Sequence, residues 1–334
     1  MSEWEYAEQI LHVDLSNRVA RVEATSIDLK RSFVGGAGFV ARLLTGSRGM
    51  ARVALATGPL SDGMAGRLSM GAAPGPDGRL ALSSMGGRMA AALKGSGFDA
   101  LVIHGELDRP GVLLVDPDGV QVVDAGALWG MDVPGTERVL RGEVGPGWAS
   151  MVLGPAAENA VPFSTLAHEG HYAGGSGVAA VLGAKRIKAV LVHDAVGVPA
   201  TCTGCTLACP GKLSCAAQTA GDLGLDAPTA ERMAALATAA AEAGILPRMS
   251  EPFIEMAHRT GVGSLLALGE EMLLERLGPA VEPLVSALPP RKKRGGPGVA
   301  DLLGTCQRVW KERPGQVLRE ALTATQGLLT SAAV

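Results

Sequence analysis

The chain has 334 residues, 47% hydrophobic and 3% aromatic, with 46 glycines and a formal net charge of −3. This balance excludes a disordered chain and offers no basic stripe for nucleic acid; the core must be built from Ala, Leu and Val. No apolar run reaches ~18 residues and "MSEWEYAEQILHVDLS" opens acidic, so neither a membrane span nor a secretory leader is expected, and the chain is expected to be cytoplasmic.

In chain order, residues 8–24 alternate apolar and polar on both sides of "SN", which predicts a hairpin. "FVGGAGFVARLL" (33–44) predicts a glycine turn running into a short helix. "VALATGPL" (53–60), "RLSMGAAP" (67–74) and "GRLALSSMGG" (78–87) read as strands, and "GGRMAAALKGSG" (86–97) as a helix closed by glycine. Strands follow at 99–107, 111–116 and 119–125, and 149–168 continues the β-rich pattern. "GGSGVAAVLGAKRIKAVLVHD" (174–194) reads as a glycine loop, a helix and a buried strand. Residues 1–199 are therefore expected to form a sheet-dominated α+β domain.

The pattern changes after residue 200. "APTAERMAALATAAAEAGIL" (227–246) predicts a helix capped by Asp226 and ended by Gly244, with Ala237, Ala240 and Ala241 on a small-residue face. Residues 250–278 predict two more helices broken at "GVG". Residues 200–334 are expected to be helical. "RKKR" (291–294), next to Pro289, Pro290 and Gly295, is expected to be a solvated loop.

Four of the five cysteines fall in "TCTGCTLACPGKLSC" (201–215), and Cys306 stands far downstream. In a reducing compartment, clustered thiols point to a metal or redox centre before a disulfide. C-x2-C-x3-C on an irregular loop can turn three thiolates toward one face of an iron–sulfur cluster. Four thiolates can also hold zinc tetrahedrally, through Cys202, Cys205, Cys209 and Cys215. Pro210 after the third cysteine and the small apolar flanks favour iron–sulfur. Zinc and unliganded thiols stay open.

Several blocks carry a resemblance. "DLLGTCQ" (301–307) resembles the D-x-x-G-L-C pterin motif of the tungsten-containing aldehyde:ferredoxin oxidoreductase family, and "GDLGLDA" (221–227) resembles its partner motif ending in G-L-D. "ILHVDLS", "FVGGAGFVARLL", "ATGPL", "LKGSGFDALVIHGE", "LGPAAENAVPF" and "AGGSGVAAVLGAKRIKAVLV" resemble further blocks, together spanning most of residues 8–278.

The resemblance implies an α+β fold: an N-terminal domain of two β-sheets as a base for a pterin cofactor, then a reduced α-helical domain. It implies a tungsten (or molybdenum) bis-pterin, Mg²⁺ bridging the pterin phosphates, and a 4Fe–4S cluster on Cys202, Cys205, Cys209 and Cys306. It implies oxidation of an aldehyde to a carboxylate, with electrons passed to ferredoxin. The pterin contacts it implies are Arg67, Ser84 (asparagine in the family), Ala173, Gly174 (in place of an arginine) and Gly175. To these it adds Gly224, Leu225 and Asp226, then Asp301, Gly304 and Thr305 (in place of leucine). Cys215 has no family counterpart and reads as a buried structural thiol.

The chain is short beside catalytic family members. The interval from Cys209 to Asp222 lacks their glutamates, and "LPPRKKRGG" stands where a histidine is expected. No catalytic acid–base residue is assigned. Glu251, Glu255, Glu270, Glu271 and His258 read as solvated helix residues, and His168 and His171 as a loop pair rather than metal ligands. Two further readings stand beside the enzyme: a non-catalytic cofactor scaffold or subunit, and a zinc-stabilised structural protein. A partner chain covering the active site and self-association are also expected.

Overall fold

A computed structural model describes residues 6–46, 51–61, 66–74, 79–194 and 215–289. The first sheet is built from β1 (Gln9–Asp14), β2 (Val19–Ala24), β3 (Arg52–Ala56), β4 (Leu68–Ala73), β5 (Ala81–Met85) and β6 (Ala100–His104). Helices α1 (Ile27–Phe33) and α2 (Gly36–Leu44) follow β2, and α3 (Met89–Gly95) lies between β5 and β6. The second sheet holds β7 (Gly111–Asp116), β8 (Gly119–Asp124), β9 (Trp148–Leu153), β10 (Thr165–His168), β11 (His171–Gly174) and β12 (Ile187–His193). With it come α4 (Val133–Val144), α5 (Pro155–Glu158) and α6 (Val178–Ala184).

The two sheets repeat one topology. Their strand orders are β2-β1-β6-β3-β4-β5 and, read in the corresponding direction, β8-β7-β12-β9-β10-β11. In each, the opening strand pairs antiparallel with its hairpin partner and parallel with the closing strand, β6 or β12. The other neighbours are antiparallel in both. The duplication is visible in sequence at an offset of 89: Gly86, Ala90, Ala91, Leu93, Ala100 and His104 recur as Gly175, Ala179, Ala180, Leu182, Ala189 and His193. The backbone repeats too, with positive φ at Gly97 (92°) and at Arg186 (59°). Local sequence reading did not find this repeat, because substitutions within it preserve pattern more than identity.

The two sheets share a core. Leu55, Met70, Leu101 and Ile103 of the first lie in one buried cluster with Met151, Leu153, Val190 and Val192 of the second, and α3 and α6 contribute Leu93 and Leu182. Burying such side chains is the main favourable term. The outer faces are covered separately, by Phe39 and Val40 of α2 on one sheet and by Val133 and Leu140 of α4 on the other. Strand β2, expected to alternate, is instead exposed along its whole length because it lies at the sheet edge.

Helices follow: α7 (Cys215–Asp222), α8 (Ala227–Glu242), α9 (Pro252–His258), α10 (Gly263–Leu266), α11 (Glu270–Leu277) and α12 (Glu282–Ala287). Met233, Leu236, Ala237 and Ala240 of α8 join Met256, Leu266 and Leu273, and Ala156, Val161 and Phe163 from the sheet region complete this core. The α+β architecture expected from sequence is thus observed.

Some local details differ. Residues 250–278 form three helices, not two, because Gly269, at φ 89°, starts α11 after the short α10. Helices α1 and α4 and strand β11 were not predicted. Asp226 holds the N-cap position of α8, but its side chain accepts from the Thr229 hydroxyl (2.6 Å) rather than from a backbone N–H. Pro228 at the helix start removes one of the usual donors. Ala237 and Ala240 are buried as expected, whereas Ala241 is only half-buried.

Candidate functional site

A pocket of about 260 Å³ opens where β5, β10, β11 and the turn into α8 meet; its lining includes Ser84, Thr165, Tyr172, Ala173, Gly174 and Asp226. Ser84 and Ala173 stand 89 positions apart, the repeat spacing, so the pocket lies on the seam between the two repeats.

The G-L-D segment is welded to the second sheet. Leu225 bridges Ser164 in antiparallel fashion. The Thr165 amide donates to the Gly224 carbonyl (2.7 Å), and the Asp226 amide to the Phe163 carbonyl (2.8 Å). Gly224 has φ 74°, and an added Cβ would lie 3.0 Å from Gly154 backbone atoms. Only glycine permits both the left-handed turn and this approach. The contact fixes the start of α8 against β10 and closes one wall of the pocket.

Arg67 anchors the other wall. Its Nη2 donates to Ser84 Oγ at 2.7 Å and to the Ser84 carbonyl at 3.1 Å. Arg67 directly precedes β4, and Thr165 opens β10, the strand in the corresponding place of the second sheet. Arg67 Nε and Thr165 Oγ1 are both buried and find no hydrogen-bond partner among the described residues. Buried polar atoms are rarely left so. This pair fits a site shaped for a polar ligand, with a guanidinium on one side and hydroxyls on the other.

Gly174 lines the pocket because nothing larger fits. An added Cβ would sit 2.0 Å from Thr165 Cγ2, across the β10–β11 pair Thr165↔Gly174. Tyr172 packs over Gly221 of α7, where an added Cβ would come 3.1 Å from the ring. Burial, then the charges of Asp222 and Glu137, raise the Tyr172 phenol above its ordinary pKa.

Behind the pocket a polar network orders the β10–β11 turn. His168 is buried; its Nε2 accepts from the Arg88 amide (3.1 Å), so the proton sits on Nδ1, which bonds the Ser150 carbonyl (2.6 Å). Burial holds this imidazole below the ordinary histidine pKa. Arg88 donates to Glu169 (2.7 Å), Asp194 (3.1 Å) and the Trp148 carbonyl (2.7 Å). His171 is half-buried, and burial and the Arg67 charge lower its pKa. Both ring nitrogens of His168 are thus engaged, and His168 and His171 sit on the paired ends of β10 and β11 rather than in a loop.

The predicted residues divide cleanly. Ser84, Ala173, Gly174, Leu225 and Asp226 line one pocket, with Arg67 bonded to its wall. Gly224 supports it through Thr165, and Gly175, at φ 70°, lies exposed just past β11. Cys202, Cys205, Cys209, Asp301, Gly304, Thr305, Cys306 and residues 291–294 lie outside the described residues, as does the side chain of Cys215. Among the described residues no group of three or more His, Cys, Asp and Glu side chains is placed to hold a metal. Thr165, Tyr172 and Gly221 were missed from sequence, and strand pairing is what brings Thr165 opposite Gly174. Glu270, expected to be solvated, is half-buried and paired with Arg232 (2.6 Å), because α11 packs against α8.

A family profile described as aldehyde ferredoxin oxidoreductase, N-terminal domain, matches residues 10–194. The chain belongs to the aldehyde ferredoxin oxidoreductase family. Relatives within it include the tungsten-containing aldehyde ferredoxin oxidoreductase of Pyrococcus horikoshii, 32% identical over 56% of this chain and 33% of that protein. The Pyrococcus furiosus protein of the same name is 30% identical over 57% of this chain and 34% of its own length. The P. furiosus aliphatic sulfonate oxidoreductase, WOR-like subunit, is 26% identical over 58% and 35%. The match therefore spans about a third of these curated relatives. In fold, the chain is similar to the active site complex BamBC of benzoyl coenzyme A reductase in complex with 1,5 dienoyl-CoA. That likeness has a TM-score of 0.72 at 18% identity and covers 84% of this chain and 64% of the other. Among the described residues no helix is long and apolar enough to cross a membrane.

Proposed function

We propose that this chain is a tungsten- or molybdenum-pterin oxidoreductase component of the family, with residues 1–199 as the cofactor base and 200–334 as the cluster-bearing helical part. The observation that carries this reading is the seam pocket: five residues that the resemblance assigns to pterin contact converge there, beside two unsatisfied buried polar atoms. When bound, the cofactor would supply two-electron chemistry between an aldehyde and its carboxylate, with electrons leaving through a 4Fe–4S cluster to ferredoxin.

The chain's own residues do the holding. Arg67 would direct its free Nε toward an anionic or heteroatom edge while its Nη2 stays on Ser84. Thr165 Oγ1 and Ser84 Oγ would add neutral contacts. Glycine at 174 keeps the floor low enough for a flat ring to lie against the β10–β11 hairpin. Asp226, together with Asp301 as the resemblance assigns it, would offer the hard oxygens that Mg²⁺ prefers. Cys202, Cys205, Cys209 and Cys306 would hold the cluster.

A second reading is a non-catalytic scaffold or subunit whose active site is covered by a partner chain. A relative named as a WOR-like subunit and the two-component BamBC complex favour it. So does the pocket lining, whose described carboxylate, Asp226, is already engaged by Thr229.

Anaerobically prepared protein tests both. Tungsten or molybdenum, released pterin and about four irons per chain support cofactor binding. Aldehyde-dependent viologen reduction then separates enzyme from scaffold. Stoichiometric zinc without iron, unaffected by Cys306→Ala, would establish the zinc reading instead.

A further inference from the structure

The edge of the first sheet carries an arrangement that the cofactor site does not use. Among the described residues strand β2 is the terminal strand of its sheet, and all six of its residues are exposed. Val19 and Val22 are 56% and 54% exposed, above every other large hydrophobic side chain of the described residues. A long exposed edge with apolar side chains is an open template for another strand.

The backbone fixes which groups face outward. The Thr25 amide donates to the Glu8 carbonyl across the β1–β2 pair, whose register continues as Ala24↔Gln9 and Glu23↔Ile10. Antiparallel pairing alternates, so odd residues of β2 bond inward to β1. The N–H and C=O groups of Ala20, Val22 and Ala24 therefore point out of the sheet. An incoming antiparallel strand must match these with its own outward groups, even residue opposite even residue.

We propose that β2 is a self-association edge, on which a second copy of this chain pairs antiparallel about a two-fold axis through Val22. Three registers satisfy the backbone parity near the strand centre. One puts Arg21 opposite Arg21 of the other copy, and one puts Glu23 opposite Glu23. The third, centred on Val22, puts each Arg21 opposite the other copy's Glu23. Those positions are not hydrogen-bonded across the new pair, where side chains come closest. Opposite charges there favour pairing, and like charges oppose it. Charge thus selects one register. The same register pairs Ala20 with Ala24 and brings Val22 against Val22. It also carries each Val19 beside Thr25 of the other copy, at the rim of a groove of about 460 Å³ lined by Ile10, Leu29, Phe33 and Leu43. In the single chain Arg21 and Glu23 already share one face, 3.4 Å apart.

The test is sedimentation of the full chain across concentration, with charge reversals. The wild type is expected to show a monomer–dimer equilibrium. Arg21→Glu and Glu23→Arg are each expected to weaken the dimer by on the order of tenfold or more, since each sets two like-charge contacts. The double variant R21E/E23R restores both pairs and is expected to recover the dimer. An equimolar mixture of the two single variants is expected to form a heterodimer, which also shows that both are folded. A wild type that stays monomeric at high concentration, or a dimer indifferent to both reversals, would overturn the proposal. Monomer with β2 amides protected from exchange would assign the edge to another segment of this chain, and would overturn it equally.

Discussion

Arg67 and Ser84 form a clamp across the first sheet: one guanidinium nitrogen bonds both the hydroxyl (2.7 Å) and the carbonyl (3.1 Å) of Ser84. The remaining Nε is buried without a partner among the described residues. An arginine held this way is rigid before any ligand arrives, which lowers the entropic cost of binding. Arg67→Lys keeps the charge but loses the planar fork. It is expected to cut bound tungsten or molybdenum and pterin at least tenfold, while the melting temperature moves by only a few degrees. Elemental analysis beside calorimetry checks this; unchanged metal content would remove Arg67 from the site.

Gly174 and Thr165 are a matched pair. A Cβ at 174 would lie 2.0 Å from Thr165 Cγ2, so Gly174→Ala is expected to cost about 1–3 kcal/mol through overpacking. Thr165→Ser removes the offending methyl and should recover part of that loss in the double variant. Denaturant unfolding of the four proteins of the cycle reads the coupling. Strict additivity would mean that the two residues do not touch.

His168 makes stability pH-dependent. Its folded pKa is lowered by burial, and His171 and His12 are lowered as well, burial being the first cause in each. The unfolded chain then binds more protons than the native one as pH falls below ~6.5. Stability contributed by the neutral imidazoles is complete above that pH and is lost on acidification. The urea midpoint is expected to drop between pH 7.5 and 5. His168→Gln should reduce the slope of that drop, although it also weakens the protein at neutral pH. An equal slope in the variant would exclude His168.

Lys188 and Glu158 form a fully buried ion pair between β12 and α5. Glu158 also accepts from the Gly130 amide (2.6 Å), and Lys188 bonds the Met131 carbonyl (2.7 Å). Together they clip the loop before α4 onto the sheet. Lys188→Met leaves a buried carboxylate uncompensated and is expected to cost about 3–5 kcal/mol. Adding Glu158→Gln should return a substantial share, because a neutral amide tolerates the dry site better. Chemical unfolding measures both.

The sequence by itself determined much of the local architecture. Alternation set the β1–β2 hairpin, and Asp14, whose carboxylate accepts from Ser16 (3.0 Å) and Asn17 (3.1 Å), closes its turn. Apolar spacing and a glycine stop set α8. The family was legible in part through motif residues such as Gly224, which stands where only glycine fits. Only the tertiary structure decided that Ser84, Thr165, Gly174 and Asp226 share one pocket, and that two sheets repeat one topology. Those relations join residues up to ~140 positions apart, and no local propensity encodes them. They follow from strand pairing and from the close approach of glycine backbones, which exist only once the chain has folded.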